Sequence, residues 1–328
     1  MCLRDAGKSI SLMNFKSGVY LFAIGLAGTL CASATTMTGL DQLKDSDLIN
    51  YGLIVAGGPS NLQTTSDTYL TGNFALGQAH DWQGGNMTIN GNVDFTGLAF
   101  GSGYTVNGTI TTNSTMAANA IAEAESLSAS YGAVNRATNI SNTNYLDVAT
   151  NPGAEANNDP NQHVYVITAS QLPNPGGSTP QGSLTITASA SQYVTINVLP
   201  GTTANFNIGA VTLNGGITPD HVLFNIETGG QLSSGNAHGL VINALIIDNV
   251  GTVNVDNTTL NGFLFCTTAY GDCQPVSGIG ISSAVNRSDM VPEPMSLVLT
   301  GSGLLLGFAF RRFRTAARPS AKTSLNHK

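Results

Sequence analysis

The chain has 328 residues, a formal net charge of −7 and only 9% charged residues. Between residues 35 and 310 the only basic residues are Lys44, Arg136 and Arg287, against 18 acidic ones, a balance near −15. Partners that present phosphates need Lys and Arg to neutralise them, so this composition excludes nucleic acid and anionic lipid.

Residues 1–34 read as a signal peptide. Lys16 precedes the apolar run Val19–Leu30, and Ala32-Ser33-Ala34 supplies the small-residue cleavage site, with cutting expected after Ala34. Met13 is an alternative start. Cys2 and Cys31 fall within this segment, which leaves Cys266 and Cys273 in the exported part, residues 35–290. Outside the cytosol the pair reads as one disulfide closing a small loop. No His lies near them and a structural zinc site wants four ligands, so zinc is not expected.

Short apolar segments with frequent turns begin at Leu53–Gly58 and Leu70–Gly77. A motif of apolar, Asn, Gly, any residue, apolar then recurs, at Asn90-Gly91, Asn107-Gly108, Asn214-Gly215 and Asn261-Gly262. Asn-Gly accepts positive φ and turns the chain tightly. A hairpin is the simplest local reading. The 17-residue step from Asn90 to Asn107 also suits one coil of a β-solenoid with Asn and Gly at its corners.

One helix interrupts, over about 115–135. Ala117, Ala120, Ile121, Ala124, Leu127, Tyr131 and Val134 recur three and four apart. Ser114 or Thr115 can cap it, and Glu123 and Glu125 lie off the apolar stripe. The stripe predicts a helix lying flat on a sheet. Residues 141–182 are polar and proline-rich, a loop with one strand at Val164–Ile167.

Strands resume at Leu184–Ile186, Tyr193–Val198, Asn205–Ile208, Val222–Ile226, Leu240–Ile247 and Thr252–Val255. Asn197, Asn207 and Asn225 either stack in ladders inside the coil or face water. The fold class is all-β with one long helix: an irregular β-solenoid (β-helix) with the α-helix packed alongside. The order of early Gly-Gly strands, Ala-rich helix, Tyr193–Val198, Asp220–Ile226 and a late strand–Asn-Gly–strand resembles the choice-of-anchor A type of secreted domain. It is more distantly similar to the bacterial ice-binding β-solenoids. That resemblance implies the solenoid and no particular activity.

No catalytic set emerges. His80, His163, His221 and His238 form no metal spacing, and His80-Asp81 and Asp220-His221 read as turn residues. Ser102 lacks a nucleophile-elbow context. Arg136 ends the helix, where a cation suits the dipole, rather than serving a lyase. Asp248 and Asp256 are the carboxylate pair whose approach across a coil a glycan hydrolase would require. Asp-x-Asp-x-Asp-Gly is absent, so neither calcium nor any cofactor is expected. Thr185-Ile186-Thr187 and the group Thr109, Thr111 and Thr112 are the small Thr clusters an ice-binding face would need, without a fixed period.

The chain then reaches Val291-Pro292-Glu293-Pro294, the uncharged stretch Met295–Phe310 and Arg311-Arg312-Phe313-Arg314. Sixteen apolar residues are short of the usual 20 or so, but tilt and snorkelling arginines close the gap. The positive-inside rule leaves the arginines and the tail 315–328 in the cytoplasm. Residues 291–314 resemble the PEP-CTERM sorting signal of Gram-negative bacteria. The resemblance implies an exosortase-type membrane transpeptidase as partner, with Pro292, Glu293 and Pro294 as its recognition motif and Arg311, Arg312 and Arg314 as the stop. It also implies transient anchoring at the inner membrane, then release to the cell surface or exopolysaccharide matrix. The expected function is a non-enzymatic structural or adhesive part of an extracellular (biofilm) matrix, touching exopolysaccharide or matrix proteins. An ice- or carbohydrate-binding module and a glycan-active enzyme are the alternatives.

Overall fold

The computed structural model describes residues 37–282, apart from 59–61, 65–67, 80–81, 85–86, 100–101, 135–136, 174–181, 235–238, 250–251, 256–257, 267–272 and 276–279. The signal peptide, Ala32 and Ala34, and the whole of 291–328 lie outside them. No helix among the described residues is long and apolar enough to cross a membrane.

The strands stack as a three-sided parallel solenoid. Its three sides are an eleven-stranded, a nine-stranded and a six-stranded sheet, to which successive turns contribute strands. Parallel strands buried on both faces read as largely apolar runs; Tyr51–Gly58 does so throughout, and Tyr193–Val198 and Val222–Ile226 do so apart from Thr195, Asn197 and Asn225. Alternate residues point into the coil: Leu53, Val55, Phe74, Leu76, Val194, Ile196 and Phe224 fill its interior.

The winding is discontinuous. In the eleven-stranded sheet Tyr51–Gly58 pairs with Asn73–Ala79 on one side and with the late strand Leu264–Cys266 on the other. The chain therefore starts mid-solenoid and winds outward to Ile110–Thr111 at one end. It then returns along the outside as helix α1 (Thr115–Gly132). From Thr138–Asn139 at the far end it winds back until Leu264–Cys266 meets the first strand.

The residues of α1 dictate how it lies. Ser114 caps it, its hydroxyl accepting from Ala117 N at 3.3 Å. Ala117, Ala120, Ala124, Leu127 and Tyr131 are buried against Ile54, Ala75, Leu223, Leu245, Ile247 and Phe265, the outward residues of the eleven-stranded sheet. The segment before the first strand straps the helix down: Met37, Leu40, Leu43 and Leu48 join this second core. Glu123 is 3% exposed rather than on the open side, because its carboxylate accepts from Leu48 N at 3.0 Å.

Two expectations need correcting. The segment 141–182 carries more strand than Val164–Ile167: Tyr145–Asp147 and Ala154–Ala156 precede a nine-residue strand, Asp159–Ile167. Ala154–Ala156 runs antiparallel against that strand, in a solenoid otherwise paired in parallel. The Asn-Gly motifs are solenoid corners rather than hairpins. Only Gly215 among them has positive φ, at 80°. At Gly91, Gly108 and Gly262 the reason for glycine is close stacking. A Cβ on Gly262 would sit 2.0 Å from Ala244 O, and one on Gly91 would sit 2.1 Å from Gly72 O. Cys266 is buried inside the coil and disulfide-bonded; the side chain of Cys273 lies outside the described residues.

Candidate functional site

The outer faces of the sheets differ in what covers them. On the helix-covered sheet the outward asparagines are desolvated. Asn197 and Asn225 sit in register on adjacent coils, 4% and 0% exposed. Ser128 Oγ of α1 donates to Asn225 Oδ1 at 2.6 Å, and the Asn225 amide reaches Asn197 Oδ1 at 3.1 Å and Glu227 Oε1 at 3.0 Å. Asn197 donates to Tyr131 O at 2.9 Å. This ladder lies neither inside the coil nor in water. It satisfies the polar groups that the helix buries. Tyr51 belongs to the same layer: its phenol donates to Asp94 Oδ2 at 2.8 Å, and burial pushes its pKa up, which keeps the proton in that bond.

The helix and the segment before it pack on the eleven-stranded sheet, and no element among the described residues is seen to cover the nine-stranded one. Its spatial order runs from Tyr145–Asp147 through Ser183–Thr187, Ala210–Asn214, Leu240–Asn243, Thr258–Asn261, Gly280–Ser282, Thr68–Thr71 and Met87–Asn90 to Tyr104–Val106. Leu146, Leu184, Ile186, Val211, Ile242, Leu260, Leu70 and Ile89 point inward and are buried. Their neighbours point out, in cross-coil register. Tyr145 is followed by Thr185 and Thr212, Val241 by Thr259, and Tyr69 by Thr88 and Thr105. Neighbouring coils in such a sheet are about 4.8 Å apart.

An asparagine column runs beside them. Asn107 Nδ2 donates to Asn90 Oδ1 at 2.6 Å, and Asn261 Nδ2 donates to Asn243 Oδ1 at 2.8 Å. Thr105, Thr212 and Thr259 are exposed, Tyr69 is 54% exposed, Tyr145 52% and Val241 43%. Asp147 is the one charged residue among these nine strands. The surface is thus broad, neutral, rich in hydroxyls and amides, and set with two tyrosine rings.

The residues screened for chemistry do not converge. His221 Nδ1 lies 3.1 Å from Gln192 O, its ring stacks on Tyr193 at 4.2 Å between centroids, and Asp220 Oδ2 is 3.9 Å from its Nε2. That arrangement closes a turn. His163 is buried with Nδ1 2.7 Å from Pro152 O. Asp248 is 1% exposed on the inside of the coil, out of reach of any substrate; Asp256 lies outside the described residues. So do His80, Asp81, His238 and Arg136. No group of three potential metal ligands occurs among the described residues. The sorting residues Pro292, Glu293, Pro294, Arg311, Arg312 and Arg314 also lie outside them.

Of the threonine clusters, Thr185 and Thr187 are on the open sheet. Thr111 is on the helix-covered one, paired with Asp94, and Thr109 serves a corner, donating through Oγ1 to Asn92 Oδ1 at 3.0 Å. Thr88, Thr105, Thr212 and Thr259 were not singled out by sequence. Coil length hid them: 17 residues separate Asn90 from Asn107, 18 separate Asn243 from Asn261, and 28 separate Asn197 from Asn225.

No family model and no curated protein matches the chain. Among solved structures it is similar to an ice-binding protein from the Antarctic ascomycete Antarctomyces psychrotrophicus, at 13% identity and a TM-score of 0.41, over 73% of this chain and 97% of that one. An ice-binding protein from an Antarctic Flavobacteriaceae bacterium aligns at 16% identity and a TM-score of 0.45, over 76% of this chain and 50% of that one. The ice-binding protein of an Arctic yeast, LeIBP, aligns at 12% and 0.41, over 72% and 91%. The assignment to a helix-flanked β-solenoid stands on the strand pairing described above.

Proposed function

We propose that this chain is a non-enzymatic, exported adhesion module whose open nine-stranded face binds a neutral polysaccharide of the extracellular matrix. The observation that carries the reading is Tyr69, 54% exposed among the threonine and asparagine columns of an almost uncharged face. Hydroxyls and amides at regular intervals exchange hydrogen bonds with sugar hydroxyls, and an exposed ring offers a stacking platform. The near absence of charge selects against anionic polymers. Export and sorting follow from the two terminal signals, with a transpeptidase cutting at Pro292–Pro294 and the matrix as destination.

Ice is the second reading. It is favoured by the register of Thr88 with Thr105 and of Thr185 with Thr212. A rigid crystal plane, however, meets the tallest side chains first. Tyr69 and Tyr145 hold it away from the threonines, whereas a flexible polymer drapes around them.

The test is co-sedimentation of the mature protein with insoluble neutral glycans and with exopolysaccharide from its own cells. Glu replaces the exposed Thr105, Thr212 and Thr259. Adhesion is expected to fall at least tenfold in the triple variant with an unchanged melting midpoint. Equal adhesion by both proteins refutes the reading, and inhibition of ice recrystallisation by the wild type alone transfers the face to ice. Mass spectrometry of the mature termini, with and without the sorting protease, tests the export route. Loss of everything after about Pro294 only when the protease is present is the expected result.

A further inference from the structure

The open face ends at a cavity. Around its terminal strand Tyr145–Asp147, the segment from Asn139 to Asn151 lines a half-open hollow of about 280 Å³. Ile140, 2% exposed, is apolar lining; Asn139, Asn142, Asp147 and Asn151 supply amides and a carboxylate, and the Tyr145 ring completes the wall. Tyr145 belongs to the outer row of the open face, in register with Thr185, so cavity and face share a side chain.

The cavity is held in shape. Thr187 Oγ1 donates to the Tyr145 hydroxyl at 3.2 Å, and Thr143 Oγ1 donates to Tyr145 O at 2.6 Å. Ser141 N donates to Asn139 Oδ1 at 2.8 Å and Ala149 N to Asp147 Oδ1 at 3.0 Å. A wall ordered before binding spares the ligand the cost of ordering it.

Size and chemistry narrow the occupant. Pockets for drug-sized ligands begin near about 300 Å³, so this volume suits one sugar ring rather than a run of them. The lining holds one carboxylate and no Lys or Arg. A carboxylate accepts hydrogen bonds from hydroxyls and repels a uronic acid. We infer that this cavity is a subsite for a single neutral pyranose, stacked on Tyr145 with its hydroxyls on Asp147 and Asn142. The sugar is a chain end or side branch of the polymer lying on the face. The inference rests on the adhesive reading of that face.

Calorimetric titration of the mature protein with methyl glucoside, methyl galactoside and glucuronate tests it. At least one neutral glycoside is expected to bind at millimolar concentration, and glucuronate is not. Tyr145→Ala is expected to weaken that binding at least tenfold and Asp147→Asn at least fivefold, both with unchanged melting midpoints. Tighter binding of glucuronate, no binding of either glycoside, or equal binding by wild type and Tyr145→Ala overturns the subsite. The threonine triple variant separates the two ideas. It is expected to lose polymer adhesion and keep monosaccharide binding. Glycoside binding without polymer adhesion sinks the adhesive face and leaves the subsite; adhesion without glycoside binding does the reverse.

Discussion

The helix-covered sheet and the open sheet are made by the same coils, yet their asparagines do opposite work. Asn225 under α1 is fully buried and bonded to Ser128, Asn197 and Glu227. Asn107 on the open side is exposed and donates sideways to Asn90. The first ladder is a structural clasp, because an unmet buried amide costs far more than a bond made beside water. The second is available to a ligand, because water already competes for every bond it makes. Position under or away from one helix, rather than residue type, decides which asparagines hold the fold and which face the partner.

The sharpest break of that comparison begins where both sheets depend on one feature, the corner. Gly262→Ala places a methyl group 2.0 Å from the backbone oxygen of Ala244, which no side-chain rotation relieves. We expect a loss of about 4 kcal/mol, at the upper end of what single substitutions do, read by chemical denaturation. Asn225→Ala separates the sheets. It strips partners from Ser128 and Asn197 beneath the helix and is expected to cost about 3 kcal/mol, with binding to polysaccharide unchanged in the remaining folded protein.

Glu227 sharpens the comparison through pH. Burial pushes its carboxyl pKa up, so the native state holds the proton more tightly than the unfolded chain does. Its penalty is therefore absent below the unfolded glutamate range and grows as pH rises through the raised native value. Glu227→Gln keeps an acceptor for Asn225 without the charge. The variant is expected to melt with wild type near pH 4 and to be stabler at pH 7 by about 0.5 kcal/mol, kept small by solvent screening at a half-buried site. Asn107→Ala, the open-face counterpart of Asn225→Ala, should cost no more than about 0.5 kcal/mol. A cost equal to that of Asn225→Ala would erase the distinction between clasp and open face.

Much of the architecture was legible along the chain. Ser114 and the stripe from Ala117 to Tyr131 announced α1, and the apolar-rich runs at Tyr193–Val198 and Val222–Ile226 announced strands. The step from Asn90 to Asn107 marked one coil. The face itself was not legible. Thr185 and Thr212 touch across a stack, but loops of differing length lie between such positions, so no fixed period exposes them. Glu123 misled for a related reason: its partner, Leu48 N, lies 75 residues earlier in the strap.

Local chemistry by itself determined most of the strands, the capped helix and the low and lopsided charge. These depend on neighbours within a turn or two, on steric limits and on side-chain polarity. Tertiary structure alone decided that winding starts mid-solenoid, that α1 and the amino-terminal strap cover one sheet, and that the threonine and tyrosine side of another is left open. The physical reason is that burial is a property of what packs across from a residue. Asn197 lies on a strand beneath the helix and bonds to its backbone, whereas Asn107 lies at a corner away from the helix and stays exposed.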